Sequence, residues 1–414
     1  MASTHAHARS AWSGKWAFIL AAAASAVGLG NMWRFPYLAA KYGGGTFLLT
    51  YLVLVFTFGV SLLLLETALG RKTGQSAIGA FKQFGKKYAF IGILASTVPF
   101  IITPYYCIIG GWVTKYAAAY LINGPEALAD GGDFFTGFIS SNTESFLWML
   151  LFMAVVFIVV SLGVKGGIEK ANLVMMPALI IMAVGIALYT LTMPGAVDGA
   201  LYYLTPDFSK FSPELVIGAL GQMFYSLSLA MGSGEAVAAN SGPSLMFVIL
   251  PTVFADMGGA ATVVGFLFFL LVLFAALTSA ISLTETCTSI VQDGAGWSRK
   301  KALCAVIGVV AVAGIFVNLG YNGLSFIEPM GEGTTLLDFF DFISNSVIMP
   351  IVALLTCIFV GWIIKPKAIV DEVKISSEFK VEKAWIVIIK YVAPVLVVVI
   401  LVAFVAQTFG LISF

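Results

Sequence analysis

Two long apolar segments are each interrupted near the middle by residues that could bind an ion or a small solute. The first interruption is Gly28-Leu29-Gly30, and the second runs from Ser226 to Gly232, with hydroxyl side chains ahead of the glycine. Two glycines within three residues weaken a helix and leave carbonyl and amide groups that a regular helix would consume. We therefore predict two broken helices whose free backbone groups form a binding site at mid-membrane.

Each interruption also has a purely structural interpretation. Glycine in a membrane helix often permits close packing, and a serine hydroxyl often bonds a carbonyl of its own helix. The functional interpretation is favoured because the interruptions occupy matching positions and because Asn31 and Arg34 follow the first. An arginine inside an apolar segment is costly and marks a functional site. For Thr278 and Ser279, two adjacent hydroxyls in another apolar stretch, both back-bonding and ion binding remain open.

Other kinds of site have little support in the sequence. Both histidines, His5 and His7, lie in the first 11 residues, and the four cysteines occur singly in apolar stretches: Cys107, Cys287, Cys304 and Cys357. Metal centres and disulfide frameworks need paired spacing. Glu66 is an isolated acid, so neither an enzyme nor a channel with a ring of charges is indicated. The net charge of +1 gives no electrostatic footprint for nucleic acid.

Membrane-spanning helices must position these residues. Hydrophobic residues make up 60% of the chain and charged residues only 10%, so we expect lipid to solvate most of its surface. A helix needs about 20 apolar residues to cross the hydrocarbon core. Ten candidate spans satisfy this requirement: 14–38, 46–69, 88–121, 146–163, 172–192, 214–232, 260–291, 302–319, 342–364 and 384–409. We predict an all-α polytopic membrane protein, since barrel strands are much shorter.

Positive charges in the connecting loops predict the orientation. Lys and Arg are concentrated in four loops: 70–87, 164–171, 292–301 and 365–383. The positive-inside rule places these loops and the N-terminus in the cytoplasm, and we expect a multi-pass protein of the cell inner membrane. Residues 214–259 must then make zero or two crossings, whereas a full span at 214–232 would make one. Either that segment is a re-entrant half-helix, or a second span that belongs there is absent.

Several motifs occur in order along nearly the whole chain. They are Trp12 to Pro36 with the core Ala-Val-Gly-Leu-Gly-Asn-Met-Trp-Arg-Phe-Pro, Lys41 to Gly45, Tyr105-Tyr106, Gly221 to Leu229, Ala275 to Ser279, and Asp338 with Asp341. In these residues the sequence resembles the neurotransmitter:sodium symporter family, in its prokaryotic amino-acid transporter branch. The resemblance implies the leucine-transporter fold, with inverted five-helix repeats and broken helices 1 and 6. The expected units are a cytoplasmic tail (1–11), the first repeat with spans 1–5 (12–192), the second repeat with spans 6–10 (214–364) and an additional C-terminal span (384–409).

The resemblance implies two sodium sites, one of which includes the substrate. The second sodium site of the family would use five residues: Ala24, Val27, Ala275, Thr278 and Ser279. The first would use Ala26, Asn31 and Ser226 together with the substrate carboxylate, which couples the binding of ion and solute. Tyr51, Gln222 and Ser226 would form part of an anion site, and the sequence leaves chloride dependence open.

The resemblance also implies a substrate pocket between two gates. The pocket residues would be Ala26, Gly28, Gly30, Ile102, Tyr106, Tyr225, Ser226, Ser228, Met231, Ser279 and Leu283. Amine-transporting relatives place an aspartate at the position of Gly28, so glycine there favours a free α-carboxylate, and the apolar walls favour an aliphatic or aromatic amino acid. Arg34 with Asp341 resembles the extracellular gate, and Arg9 with Asp293 the intracellular gate. Arg9 could also be a positive-inside residue and Asp293 a helix-end charge.

The resemblance breaks after Gly232. The family continues helix 6 beyond this point and returns through helix 7, whereas here the stretch from Ser233 to Asn240 resembles the loop before helix 8. Helix 6b and helix 7 are therefore missing from this sequence, and their absence accounts for the crossing that the loop charges demand. We expect a sodium-coupled symporter of a hydrophobic or aromatic L-amino acid that works by alternating access. The alternatives are the same fold with an osmolyte or an amine, and an inactive, internally deleted variant. The oligomeric state is not predicted.

Overall fold

The computed structural model describes residues 13–226, 242–376 and 378–408, which form a bundle of apolar helices. In chain order the helices are α1 (Lys15–Ala26), α2 (Leu29–Lys41), α3 (Gly45–Thr73), α4 (Ala77–Lys82), α5 (Lys86–Ile122), α6 (Asp133–Ser140), α7 (Asn142–Ser161), α8 (Val164–Thr190), α9 (Ala196–Leu204), α10 (Pro213–Ser226), α11 (Leu245–Ala255), α12 (Gly258–Ala295), α13 (Arg299–Leu319), α14 (Leu336–Ile363), α15 (Lys367–Lys374) and α16 (Glu382–Thr408). Eight of them are long and apolar enough to cross a membrane: α3, α5, α7, α8, α12, α13, α14 and α16. The predicted all-helical membrane fold is confirmed.

The first span is broken where the sequence predicts. Helix α1 ends at Ala26 and α2 begins at Leu29, with Gly28 in an extended conformation between them (φ −108°, ψ 178°). The sixth predicted span is represented by α10, which is described as far as Ser226, and the rest of that interruption lies outside the described residues. The fifth span begins at Val164 and not at 172. The first turns of this helix contain charged residues, so a search for continuous apolar residues places the start of the span too late.

Helix α5 forms the centre of the bundle. In its most apolar stretch 72% of the residues are buried, a larger share than in the seven other candidate spans of the described chain. It packs most extensively on α12, and also on α7 and α13. The Trp112 indole N–H donates to Ser145 Oγ at 3.2 Å, and that hydroxyl donates to Asn318 Oδ1 at 2.7 Å. These hydrogen bonds join α5 to α7 and α13 and so fix the position of α5, which also carries the residues that face the broken helix.

We call the two ends of the bundle inner and outer, following the orientation that the loop charges predict. The outer end is the one at which α2 and α5 terminate, and the inner end is the one at which α1 and α5 begin. A bridge between Gly44 and Pro206 places the start of α10 at the outer end. Tyr116 Oη donates to the carbonyl of Phe247 at 2.9 Å, which places α11 at the outer end as well. The described residues between α9 and α12 therefore contain no complete crossing.

Candidate functional site

The break between α1 and α2 is enclosed by α5 and α12. A Cβ atom on Gly28 would lie 3.4 Å from Tyr106 Oη and 3.5 Å from Ser279 Oγ. The backbone N–H of Leu29 donates to Tyr106 Oη at 3.3 Å, and Ser279 Oγ donates to the carbonyl of Val27 at 3.4 Å. Tyr106 and Ser279 are both buried. Two long helices therefore present hydroxyl groups to the two open ends of the broken helix.

One helical turn away, the walls become apolar. Ile102 precedes Tyr106 by four residues on α5, and Leu283 follows Ser279 by four residues on α12, so each shares a helix face with its partner. Ile102 is fully buried and Leu283 is 1% exposed. Because α5 and α12 pack together, the predicted pocket residues on these helices provide a polar rim beside the break and an apolar wall toward the inner end.

Asn31 connects the broken helix to α10. Its amide nitrogen donates to the carbonyl of Ala26 at 2.7 Å. Its Oδ1 accepts from Ser226 Oγ at 2.7 Å and from Gln222 Nε2 at 3.2 Å, and Tyr51 also interacts with the Ser226 side chain. The structure thus brings together the residues predicted for the first sodium site and those predicted for the anion site. They form one connected polar group between α1, α2, α3 and α10.

The residues predicted for the second sodium site lie along the contact between α1 and α12. Ala24 and Ala275 are fully buried, and the contact of Ser279 with the Val27 carbonyl joins the two helices. The Thr278 hydroxyl donates to the carbonyls of Phe274 and Ala275, both at 3.0 Å. Thr278 is therefore back-bonded to its own helix, as the structural interpretation of the sequence allowed, while Ser279 reaches across to the break.

The residues of the predicted extracellular gate line one cavity at the outer end. The cavity has a volume of about 610 Å³, and Arg34 and Asp341 both contribute to its wall. Arg34 is 7% exposed and Asp341 is 1% exposed, so both charges are buried. The outer cavity, as we call it, also carries Ile217 of α10 and Ser346 of α14 on its wall.

Part of the prediction falls beyond what the structure describes. Arg9, Ser228 and Met231 lie outside the described residues, and the Tyr225 side chain is likewise not described. Asp293 Oδ2 accepts from the backbone N–H of Ser76 at 2.9 Å. This contact joins the end of α12 to the start of α4, and both interpretations of Asp293 stay predictions.

The break places two opposite electrostatic poles beside each other. The last carbonyls of α1, including that of Ala26, form a negative pole that favours a cation. The first amides of α2, at Leu29 and Gly30, form a positive pole that favours a carboxylate. Tyr106 Oη lies at the positive pole and Asn31 at the negative one. An amino acid with a free carboxylate and a monovalent cation can therefore bind next to each other.

The structure also reveals contacts that the sequence prediction missed. Tyr105 Oη donates to Asp341 Oδ1 at 3.1 Å, and Asn345 Nδ2 donates to the same oxygen at 2.7 Å. At the inner end, both the backbone N–H and the hydroxyl of Ser13 donate to the Glu169 carboxylate, which ties the start of α1 to α8. The Tyr105-Tyr106 doublet was a signal in the sequence, but it did not indicate that its two hydroxyls point to different sites.

Comparison with known proteins gives a consistent result. Residues 9–124, 139–239 and 233–411 match the sequence model of the sodium:neurotransmitter symporter family. An uncharacterized sodium-dependent transporter of Haemophilus influenzae is 29% identical, covering 97% of this chain and 99% of the relative. One from Methanocaldococcus jannaschii is 32% identical, covering 95% and 89%. The solved structure of MhsT in complex with L-phenylalanine has a TM-score of 0.83 at 31% identity and covers 95% of this chain and 99% of MhsT.

The alignment lengths exceed the number of residues that this chain contributes to them. The alignment with the Haemophilus influenzae transporter extends over 457 positions, while 97% of 414 residues is about 402. About 55 positions of that alignment therefore have no counterpart here. The family match restarts at 233–239, which places a discontinuity at the predicted gap. About 55 residues suffice for a half-helix, a loop and a full span of about 20 residues.

Proposed function

This chain belongs to the sodium:neurotransmitter symporter family, and we propose that its central site binds sodium together with a hydrophobic or aromatic L-amino acid. Members of the family are sodium-dependent transporters and not enzymes. We further propose that alternating access of the complete family bundle carries ion and solute inward through the cell inner membrane, with the N-terminus in the cytoplasm as the loop charges predict, and that this chain retains the binding step. Two sodium ions per cycle complete the proposal.

The juxtaposed poles at the break are the observation that supports this function. The substrate carboxylate would accept from the amides at the start of α2 and from Tyr106 Oη, which now accepts from the N–H of Leu29 at 3.3 Å. Sodium would take the Ala26 carbonyl and Asn31 Oδ1, which are linked through the Asn31 amide. If the carboxylate is also a ligand of sodium, each binding event strengthens the other.

The walls support the choice of amino acid. Gly28 leaves no acidic group to receive a substrate amine, and Ile102 with Leu283 provides an apolar surface for the side chain. The similar protein MhsT was solved in complex with L-phenylalanine. We therefore place aromatic and large aliphatic amino acids ahead of the osmolyte and amine alternatives.

A binding experiment tests this proposal. Purified protein would be titrated with radiolabelled phenylalanine, leucine, glycine betaine and an aromatic amine, each in sodium and in choline chloride. We expect sodium-dependent binding of phenylalanine or leucine, and a roughly tenfold or larger loss in Tyr106→Phe, since hydrogen bonds to charged groups are worth about 1.5–3 kcal/mol. Tyr391→Phe is the matched control, because Tyr391 is 51% exposed on α16. Absence of sodium dependence for every ligand would refute the proposal.

The segment missing after Gly232 should affect transport but not ligand binding. The described binding groups lie on α1, α2, α5, α10 and α12, so we expect a chain of this sequence to bind its ligands. Alternating access needs a complete bundle, so we expect this chain, which lacks a span, to show no uptake in proteoliposomes. Insertion of the corresponding segment of the Haemophilus influenzae transporter after Gly232 should restore uptake. Robust sodium-driven uptake by the unaltered chain would contradict the predicted loss.

A further inference from the structure

The Asp341 carboxylate is held by donors that belong to two different helices. Asp341 is 1% exposed, and a buried carboxylate is stable only when hydrogen bonds replace its water. Tyr105 on α5 donates to its Oδ1 at 3.1 Å, and Asn345, one turn along α14, donates to the same oxygen at 2.7 Å. Asn345 Nδ2 also lies 3.1 Å from Tyr105 Oη. The three groups close a triangle around one oxygen of the carboxylate.

The backbone of α14 is adapted to this arrangement. Asp341 is followed at once by a π-helical segment, Phe342–Ile348, which contains Asn345. The Ser344 hydroxyl donates to the carbonyls of Phe340 and Asp341, at 2.8 and 3.1 Å. π-helical turns within α-helices are frequent at functional sites because they redirect side chains. Here the widened turn carries the amide that holds Asp341.

Tyr105 also connects Asp341 to the central site. The next residue, Tyr106, lies with its hydroxyl 3.3 Å from the N–H of Leu29 at the break. Both tyrosines are buried on α5, the firmly packed centre of the bundle. Two consecutive residues of one helix therefore contact the substrate site and the Asp341 carboxylate. A shift of α5 that follows the substrate would move both contacts together.

We propose that Tyr105 and Asn345 are positioning residues of the outer gate, which fix the Asp341 carboxylate for its pairing with Arg34 when the gate is closed over bound substrate. The inference rests on the proposed function, because it needs a substrate that induces closure. Arg34 and Asp341 already line the same outer cavity. Without the two donors the carboxylate would rotate or recruit water, and the gate would close less readily although the pocket around Tyr106 is unchanged.

The accessibility of a cysteine in the outer cavity measures this effect. Ile217→Cys would be introduced in a Cys304→Ser background, because Cys304 is exposed while the three other cysteines are buried. Its rate of reaction with a membrane-impermeant thiol reagent would be measured with and without sodium plus phenylalanine. We expect the ligands to slow labelling, and we expect Tyr105→Phe and Asn345→Ala each to reduce this protection roughly tenfold, the effect of one hydrogen bond to a charged group.

Tyr120→Phe is the matched control. Tyr120 is a fully buried tyrosine of the same helix, and its hydroxyl has no hydrogen-bond partner in the described part of the chain. It should keep full protection, and all variants should elute as single species and bind phenylalanine. Full protection in Tyr105→Phe and Asn345→Ala would overturn this inference alone. Absence of both sodium-dependent binding and protection in the Ile217→Cys reporter protein without further substitutions would overturn the proposed function as well.

Discussion

Asn31 makes the sharpest prediction, because one side chain joins the broken helix to α10. Asn31→Ala removes the donor to the Ala26 carbonyl at 2.7 Å and the acceptor of Ser226 Oγ at 2.7 Å and of Gln222 Nε2 at 3.2 Å. It also deletes a proposed sodium ligand. At about 1 kcal/mol of net stabilisation for each hydrogen bond, the loss is roughly 3 kcal/mol. If the whole loss falls on the sodium-bound state, the half-saturating sodium concentration rises roughly 150-fold.

The assay is a sodium titration of phenylalanine binding at fixed ligand concentration. Asn172→Ala is the matched control, because Asn172 is a buried asparagine of α8 whose side-chain oxygen and nitrogen have no partner in the described chain. It should leave the sodium titration unchanged. A shift of less than about threefold in Asn31→Ala, or an equal shift in the control, would refute the assignment of Asn31 to the sodium site, because about 0.7 kcal/mol is less than one hydrogen bond.

Four further predictions follow from particular contacts. Gly28→Asp should abolish amino-acid binding, since two like charges about 4 Å apart repel by about 4 kcal/mol near a protein surface, and this is checked by the binding assay. Gly44→Ala should lower the free energy of unfolding by about 3 kcal/mol. The reason is that Gly44 has a φ of +55° and that a Cβ there would lie 2.2 Å from the Tyr202 carbonyl oxygen. The effect is measured as a lower midpoint of thermal unfolding. Asn172→Leu should raise that midpoint, since it removes a buried amide that has no partner in the described chain, and such an amide costs roughly 1–3 kcal/mol. In the Cys304→Ser background, Gly70→Cys should react with an impermeant reagent only from the cytoplasmic side and Gly137→Cys only from outside, since a Cβ meets nothing within 4 Å at either position.

The sequence predicted the parts of the fold that depend on local composition. The break at Gly28 was predictable because two glycines interrupt an apolar segment, and the structure places the interruption there. The start of the fifth span was not, because Glu169 appears as a loop charge in sequence, yet it is buried and binds Ser13. Burial of a charge by a distant segment leaves no periodic signal along the chain.

In the candidate site, too, local features could be predicted from the sequence and contacts between distant segments could not. Neighbours in sequence, such as Asn31 beside the break, were assigned to the site from their position and from the family resemblance. The bond from Tyr105 to Asp341 joins residues that are 236 positions apart, and only the packing of α5 against α14 brings them together. The direction of each hydroxyl in the Tyr105-Tyr106 doublet depends on the rotation of α5, which a mostly apolar helix buried on several sides does not reveal through hydrophobic periodicity.

The arrangement of the site explains why binding and transport should separate in this chain. Both poles of the broken helix come from α1 and α2, and their described partners come from α5, α10 and α12. None of these contacts needs a residue between Gly232 and the start of α11, so a shared carboxylate can couple ion and solute without helix 7. Linkage then requires that sodium raise the affinity for the amino acid by the same factor by which the amino acid raises the affinity for sodium. This reciprocity should hold in the unaltered chain, because it is a property of the bound state, whereas uptake depends on a bundle that can open at both ends.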